Sequence, residues 1–352
     1  MHLKSTPSVS PSHAAGMSSG RGRTRRAARW LALTAAVATA LVGCSALGSD
    51  TSNPSSAAGP LEKAKIKVAI LPTIDVSPLW LAQEAGYFKA EGLDVETVVV
   101  DSGQKALDKA ISGEADIASS SYMPFFVAKA TGVADMKLVA AAGAVKPKSF
   151  AIVATPNSPV KTLKDLAGKR IAMTARNTAT DLLTKSLMKD HGVDFDQVKW
   201  VQVQFPNVVA ALATGRDIDA ALLPEPYITQ AAKLAGAIPI VDVNTGATEG
   251  FPLSGYGAIS KWVQANPKTL AAFQRALRKA ASVANDDRSK IEPLLVKYAK
   301  VDEDTSRLVN FPDFGSALDA RPLQRVPDLM LQMGALTTKL DVTSMIAPQA
   351  TR

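Results

Sequence analysis

The feature that most constrains the fold is an alternation of strand-like and helix-like segments that begins at Lys65, restarts once and then stops. The first run contains the apolar segments IKVAILP, DVETVVV, ADIASSS and MKLVAAAG, with helical patterns between them. A second run extends from about Phe150 to about Val243 and contains FAIVATP, RIAMTA, VKWVQVQF, DIDAALLP and IPIVDV. Short apolar strands that alternate with helices predict α/β units, each with a parallel sheet covered on both faces.

The order of the two runs predicts a discontinuous first lobe. After the segment YGAIS the pattern is helical only, so a second α/β unit is inserted before a helical tail that returns to the first sheet. We predict lobe 1 at residues 63–149 plus 255–352 and lobe 2 at residues 150–254. The chain would then cross near Lys148–Ala151 and again near Thr248–Tyr256, which makes a hinge with a cleft between the lobes. Two independent tandem domains are the alternative.

Residues 1–43 have the pattern of a signal peptide. The basic run RGRTRRAARW is followed by the apolar run LALTAAVATALV and then by GCS. The apolar run is short for a membrane span, so cleavage after export is expected. The pair Arg25-Arg26 leaves a twin-arginine route open beside the favoured secretory route, and Met17 is an alternative start to Met1.

The single cysteine, Cys44, follows Leu41-Val42-Gly43, a setting that resembles the bacterial lipobox. In a lipobox the cysteine sulfur receives a diacylglyceryl group and becomes the first residue of the mature chain. We therefore predict lipidation at Cys44, with a chance Gly-Cys near a cleavage point as the alternative. Residues 44–62 would be the lipidated cysteine and a flexible tether, because Ser, Ala, Gly and Pro dominate this segment.

The net charge of +8 comes mostly from the predicted signal peptide. Residues 1–43 carry six basic side chains and no acid, which leaves +2 for the rest of the chain. A nucleic-acid-binding protein would need a basic patch in its folded part, and the sequence pattern contains none. The charge therefore favours an ordinary solvated surface and no nucleic-acid partner.

The segment PLWLAQEAGYFKAEGLDVE is similar to the opening signature of the nitrate/sulfonate/taurine class of ABC-transporter substrate-binding proteins, the SsuA/THI5-like family. Three later segments agree with that family in order and spacing: SPVKTLKDLAGKRIAM with TARNTATDLLTKSL, ALATGRDIDAALLPEPYITQA, and NPKTLAAFQRALRKA. The resemblance covers about Lys65 to Ala284 and does not specify a ligand.

The resemblance implies a type II periplasmic-binding-protein fold, in which two α/β lobes close on a small solute. It also implies delivery of that solute to a membrane permease driven by a separate ATPase, with no cofactor. With the predicted anchor, the protein would lie on the outer face of the cytoplasmic membrane, held there by lipid alone. No extra apolar interface stripe appears in the sequence, so a monomer is expected.

The candidate binding residues lie in loops that follow strands, where ligands bind in open α/β sheets. These loops are rich in side chains that could contact a solute, namely hydroxyl, aromatic, acidic, amide and guanidinium groups. In the first lobe and at the second crossing they are Thr73, Asp75, Ser77, Trp80, Ser120, Ser121, Tyr122 and Tyr256. In the second lobe they are Arg176, Asn177, Thr178, Glu225 and Tyr227.

The set Arg176-Asn177-Thr178 precedes a helix and favours an anion, because helix N-termini, hydroxyls and guanidinium groups all attract negative charge. The alternative is an ordinary helix cap with Arg176 in solvent. Trp80 is expected to form a flat wall of the cleft, or else a shoulder of the lobe core. Glu225 would accept a hydrogen bond from a ligand amine or pair with Arg176, unless it is a surface acid before a helix.

Enzyme activity is not expected. The sequence contains no HExxH, GxxxxGK[ST] or CxxC motif and no Ser-His-Asp set, and a single cysteine suits no common metal site. His191, the only histidine after the predicted signal, follows a helix and suits an exposed C-terminal position. An alkanesulfonate-like organic anion is the first ligand hypothesis, a thiamine-type pyrimidine precursor the second, and nitrate or bicarbonate the third. An anchored enzyme on the same two-lobed scaffold is the competing class.

Overall fold

The computed structural model describes residues 60–315 and 317–351. The predicted signal peptide, the lipidation site at Cys44 and nearly all of the predicted tether lie outside this range. Within it, no helix combines the length and the apolar character that crossing a bilayer requires.

The described residues contain eleven strands, thirteen α-helices and six short 3₁₀ turns. The strands are β1 Lys65–Ile70, β2 Asp94–Val99, β3 Ile117–Ser121, β4 Met136–Ala144, β5 Phe150–Ala154, β6 Arg170–Met173, β7 Lys199–Gln202, β8 Ala220–Pro224, β9 Ile238–Asp242, β10 Pro252–Ile259 and β11 Asp313–Phe314. The helices are α1 Ser77–Glu84, α2 Tyr87–Ala90, α3 Gly103–Ser112, α4 Tyr122–Ala130, α5 Ala179–Asp190, α6 Phe205–Thr214, α7 Tyr227–Ala235, α8 Ser260–Ala265, α9 Pro267–Asp286, α10 Glu292–Tyr298, α11 Glu303–Leu308, α12 Ala320–Leu323 and α13 Arg325–Gln332.

The strands form two sheets, and each sheet with the helices packed on it is called a lobe below. The first sheet has the order β11-β4-β10-β3-β1-β2, and the second has the order β7-β6-β8-β5-β9. The strand that returns to the first sheet, β10, begins at Pro252, slightly before the boundary predicted at residue 255. The fold class is α/β with two lobes, as the sequence pattern predicts.

Both sheets are mixed, so the prediction of parallel sheets is wrong in this respect. In the first sheet β1 is parallel to β2 and β3, whereas β10 is antiparallel to β3 and β4. In the second sheet β6 is parallel to β7 and β8, whereas β5 is antiparallel to β8 and β9. Strands β5 and β10 enter their sheets from the other lobe. They reach the sheet at the end that faces the cleft and therefore run against their neighbours.

The two connections between the sheets lie side by side. The Val145 amide, in the first connection, donates to the Phe251 carbonyl in the second at 2.9 Å. The Glu225 amide at the end of β8 donates to the Ser149 carbonyl at 3.2 Å. These backbone bonds join the crossing segments to each other and to the second sheet, which is the arrangement of a two-stranded hinge.

The C-terminal tail packs on the first lobe. Helix α9 buries an apolar face that includes Phe273, whose ring stacks on Phe88 with centroids 5.6 Å apart. The tail also contributes β11, a two-residue strand that pairs antiparallel with β4. The sequence predicted only helices here. A two-residue strand carries no periodicity of its own, so pairing with β4 alone defines it.

The opening helix is divided into α1 and α2. Gly86 adopts a left-handed backbone with φ +71°, which separates the two helices. Ser77 is the first helical residue and does not cap the helix. Its hydroxyl donates instead to the Ile74 carbonyl at 2.6 Å.

Candidate functional site

A small cavity of about 60 Å³ lies between the lobes, where several strands of both sheets end. The first lobe contributes Leu71, Thr73, Asp75, Gly103, Ser119, Ser120, Ser121, Leu253 and Ser254. The second lobe contributes Phe150, Thr174, Thr178, Ala179, Thr180, Phe205 and Pro224. This volume is enough for a few water molecules or a solute of a few heavy atoms. The lobes therefore leave between them a space for a small solute.

The first-lobe wall carries an acid and an unpartnered hydroxyl. Asp75 lies in the short 3₁₀ turn after β1, and its Oδ2 accepts a hydrogen bond of 2.5 Å from Ser254 Oγ. Ser120, near the end of β3, is buried, and its Oγ has no hydrogen-bond partner among the described residues. Helix α3 begins at Gly103 directly against this serine, where a Cβ would overlap Ser120 Oγ. A buried hydroxyl without a partner costs free energy unless a solute or water satisfies it.

The second-lobe wall is the N-terminus of α5. Three threonine hydroxyls meet there: Thr178 and Thr180 are 3.0 Å apart, and Thr174 lies 3.4 and 3.3 Å from them. Asp181 closes a capping box with Thr178, and burial raises the pKa of its carboxyl. Ala179 and Thr180, the first two residues of the helix, line the cavity. Their amide groups belong to the helix end, where backbone N–H groups have no partner within the helix.

Asp75 is the only charged side chain that lines the cavity within the described part of the chain. Behind it lie two buried tyrosines, Tyr122 and Tyr256. Burial raises the pKa of both phenols, and the negative charge of Asp75 adds to the effect. Both tyrosines are therefore neutral at physiological pH. In residues 60–315 and 317–351 no three His, Cys, Asp or Glu side chains are grouped in a way that could hold a metal ion.

Five of the predicted site residues line the cavity: Thr73, Asp75, Ser120, Ser121 and Thr178. The other eight do not line it: Ser77, Trp80, Tyr122, Arg176, Asn177, Glu225, Tyr227 and Tyr256. A binding role remains a proposal for the first group. The residues in the second group differ from one another in their surroundings.

Trp80 is a core residue and does not form a cavity wall. It is 1% exposed, and its indole stacks on Tyr298 with ring centroids 5.3 Å apart. Tyr298 comes from α10 in the tail, so the aromatic partner is supplied by residues far away in sequence. The expectation that Trp80 faces the cleft is corrected, because the turn at Ile74–Val76 directs Asp75 to the cavity and leaves Trp80 under the tail.

Arg176 is exposed, and Asn177 is half-buried beside it. Asn177 has a left-handed backbone with φ +57°, and its amide donates to Asp181 Oδ2 at 2.9 Å. The turn at Asn177 separates Arg176 from the helix end, so the guanidinium is not part of the cavity wall. Of the three residues in the predicted anion-binding set, Thr178 lines the cavity and the other two do not.

Glu225 is fully buried and engaged with protein donors, so the expected pairing with Arg176 does not occur. Its carboxylate accepts bonds from Thr229 and Asn310. Tyr227 stacks on Phe205 with centroids 5.2 Å apart, and burial raises its pKa to about 12. Tyr122 packs against Gly255 of β10, where a Cβ would overlap its ring. Tyr256 is buried in the first-lobe core, and its hydroxyl has no partner among the described residues.

Sequence reasoning missed several apolar and glycine positions of the wall. Three of these positions are the first residues of elements at the cavity: Gly103 of α3, Phe150 of β5 and Phe205 of α6. The rule that ligands lie beyond strand ends could have included Gly103 and Phe205, since each opens a helix that follows a strand. Their side chains offer no hydrogen bond, so polarity in the sequence does not mark them as site residues.

Two α/β lobes that are joined by two crossings and have a cavity between them define the periplasmic-binding-protein class of fold. A family model described as NMT1/THI5 like matches residues 73–290, and the chain belongs to this family.

Relatives and solved structures agree with that assignment. A relative from Escherichia coli (strain K12), named as an aliphatic sulfonates-binding protein, is 25% identical over 242 residues, which are 69% of this chain and 71% of that protein. The alkanesulfonate-binding protein SsuA from Xanthomonas axonopodis pv. citri, bound to MOPS, has a TM-score of 0.70 at 20% identity, covering 82% of this chain and 99% of that one. The periplasmic nitrate-binding protein NrtA from Synechocystis PCC 6803 has a TM-score of 0.69 at 17% identity, covering 81% and 85%. At these identities the solved structures establish the fold.

Proposed function

We propose that this protein is the extracytoplasmic receptor of an ABC importer and delivers a small organic anion of the alkanesulfonate type to the permease and its ATPase. The family, the two-lobed fold and the names of its relatives support this class. The single observation that carries the ligand proposal is the cavity between the lobes, which is lined both by Ser120, whose buried Oγ has no partner among the described residues, and by the start of α5.

The anionic end of the solute would bind at the head of α5. A helix N-terminus attracts negative charge because its first N–H groups and its dipole both point towards the ligand. Helix α5 has 12 residues, and Thr178, Ala179 and Thr180 at its start line the cavity. A sulfonate group has three oxygen acceptors, which suits this set of hydroxyl and amide donors. These donors could bind the sulfonate without a guanidinium or ammonium group, and none is present among the described lining residues.

Asp75 would bind the other end of the solute. Ser254 occupies Oδ2, which leaves Oδ1 available to a donor. A carboxylate in the cavity wall repels a bare inorganic anion and favours a solute with an amino group. An aminoalkanesulfonate therefore fits better than nitrate or bicarbonate. The aromatic lining residues Phe150 and Phe205, together with Asp75, favour a thiamine-type pyrimidine with an amino group as the second candidate.

A binding protein without catalytic turnover is proposed, since the named relatives are binding proteins. A thermal-shift panel tests the ligand, because a solute at a hundredfold over its dissociation constant adds about 2.7 kcal/mol to the stability of the folded state. The panel contains ethanesulfonate, 2-aminoethanesulfonate, nitrate, bicarbonate and an aminomethylpyrimidine. We expect the largest shift with 2-aminoethanesulfonate. A larger shift with the pyrimidine would favour the second candidate, and conversion of any bound compound would favour the enzyme class.

We also propose that Cys44 carries the lipid that holds the protein at the outer face of the membrane. Two or more acyl chains are sufficient for stable anchoring. Cys44→Ser should release the protein from the membrane fraction without altering solute binding. A variant that stays with the membrane would contradict anchoring through this cysteine.

A further inference from the structure

Glu225 is the most completely engaged buried carboxylate at the junction of the lobes. It is 0% exposed and follows β8 directly. Oε1 accepts from Thr229 Oγ1 at 2.9 Å, from the Asn310 amide at 3.0 Å and from Asn310 Nδ2 at 3.2 Å, whereas Oε2 accepts from the Thr229 amide at 3.1 Å. Four donors therefore satisfy a group that would otherwise be costly to bury.

The donors come from different lobes. Thr229 lies in α7 on the second lobe, one turn after Glu225. Asn310 lies between Val309, which is buried in the first-lobe core, and Phe311, which packs against that core. The carboxylate therefore links the two lobes through side-chain and backbone donors of one tail residue.

The same residue makes a second link between the lobes through its backbone. The Ile74 amide donates to the Glu225 carbonyl at 3.2 Å. Ile74 lies between Thr73 and Asp75, and Glu225 follows Pro224; all three of these neighbours line the cavity. Both links are therefore attached directly to the cavity walls, one on each lobe.

We propose that Glu225 is a positioning residue for solute binding: it fastens the two lobes to each other through Asn310 and holds the Thr73–Asp75 wall against the second lobe. The carboxylate does not touch the solute. It acts by stabilising the geometry in which the walls meet, and separation of the lobes removes the Asn310 donors from it. The expected effect of Glu225 on solute affinity rests on the proposed receptor function. Its effect on lobe closure does not depend on which solute is bound.

Amide hydrogen exchange on the full chain tests the proposal, with Ile74 as the reporter. Asn310→Ala removes the Nδ2 donor, and Glu225→Gln removes the charge, but both keep the Glu225 carbonyl that Ile74 contacts. Loss of a hydrogen bond to a charged group corresponds to about a tenfold or greater change in an equilibrium. We therefore expect exchange at Ile74 to accelerate about tenfold or more in both variants, while amides of β1, just before it, keep their protection.

Thr229→Val is the matched control, because it removes a donor to the same carboxylate from the same lobe. It should change Ile74 exchange by less than about threefold, since lobe closure does not depend on that bond. Unchanged protection of Ile74 in Asn310→Ala and Glu225→Gln would overturn the proposal. So would an equal effect of Thr229→Val, or a wild-type chain in which Ile74 has no protection. If the exchange results hold but no solute on the panel binds, the receptor proposal fails and the closure proposal stands.

Discussion

Ser254 Oγ donates a hydrogen bond of 2.5 Å to Asp75 Oδ2, so the strand that returns from the second lobe orients the acid at the cavity. The two residues are 179 positions apart in sequence. Gly143 of β4 completes the arrangement, because a Cβ there would lie 3.1 Å from the Asp75 Cβ. One oxygen of Asp75 is thus fixed by the protein while the other can accept a bond from a solute.

Asp75→Asn should reverse the preference between solutes. Affinity for 2-aminoethanesulfonate should fall about tenfold or more, because a charge-assisted hydrogen bond contributes about 1.5–3 kcal/mol. Affinity for ethanesulfonate, which has no amino group, should stay the same or rise as the repulsion disappears. Isothermal titration calorimetry measures both. Asp108→Asn, which removes an exposed carboxylate on α3, is the control for net charge. Equal losses for both solutes would contradict an amine-binding role for Asp75.

Ser120→Ala should separate stability from binding. The variant removes a buried hydroxyl that has no protein partner, so the free energy of unfolding should stay unchanged or rise by up to about 1 kcal/mol. Solute affinity should fall by about fivefold or more, because the ligand loses a donor. Chemical denaturation without solute and titration with it give the two quantities. A variant that is destabilised and binds normally would mean that the hydroxyl serves the fold.

Arg176→Ala should leave affinity for an anionic solute within about twofold of the wild type, because the side chain is exposed and outside the cavity wall. Thr178→Val, two residues along, should weaken binding and also reduce stability by about 1 kcal/mol through loss of the helix cap. Titration and thermal melting of both variants provide the comparison. Loss of binding in Arg176→Ala would instead indicate that the guanidinium contacts the solute.

Trp80→Ala should reduce the free energy of unfolding by about 3–5 kcal/mol, since the indole fills the core under Tyr298. Trp80→Phe keeps an aromatic ring in that space and should cost less. Solute affinity per folded molecule should be unchanged in Trp80→Phe. Urea denaturation and titration measure the two effects. If Trp80→Phe instead keeps its stability and loses affinity, the indole contacts the solute.

Asp219→Asn should destabilise the protein in a pH-dependent way. The guanidinium of Arg170 holds the pKa of the Asp219 carboxyl below its ordinary value through hydrogen bonds at 2.6 and 3.1 Å. The carboxyl thus contributes stability above the ordinary pKa of about 4, and this contribution is lost as the pH falls through the lower folded pKa. We expect a cost of about 1–2 kcal/mol at pH 7, since Arg170 is partly exposed.

Urea denaturation of Asp219→Asn at pH 7 and pH 3 measures this difference, which should shrink in acid. The Arg170–Asp219 pair fixes β6 beside β8, the strands that end near Thr174 and Pro224 of the cavity wall. Asp304→Asn, which breaks an exposed pair with Arg307, should cost less than about 0.5 kcal/mol. A cost for Asp219→Asn that persists unchanged at pH 3 would contradict the ion-pair explanation.

The sequence by itself determined the α/β alternation, the restart at Phe150 and the return of the tail, because these follow from local periodicity and the order of segments. It also indicated that the loops after the strands lie at the cavity, because the order of strands and helices determines the sheet edge at which each strand ends. The directions of the strands β5 and β10 did not follow from periodicity, which is the same for parallel and antiparallel neighbours.

Only the tertiary structure decided which side chain of each loop faces the cavity. Asp75 and Trp80 lie five residues apart, yet Ser254 draws the acid to the cleft while Tyr298 stacks on the indole in the core. Glu225 was expected to meet a ligand but is enclosed by donors that include Asn310, 85 positions away. The direction of a side chain depends on partners from distant segments, and local periodicity contains no information about them.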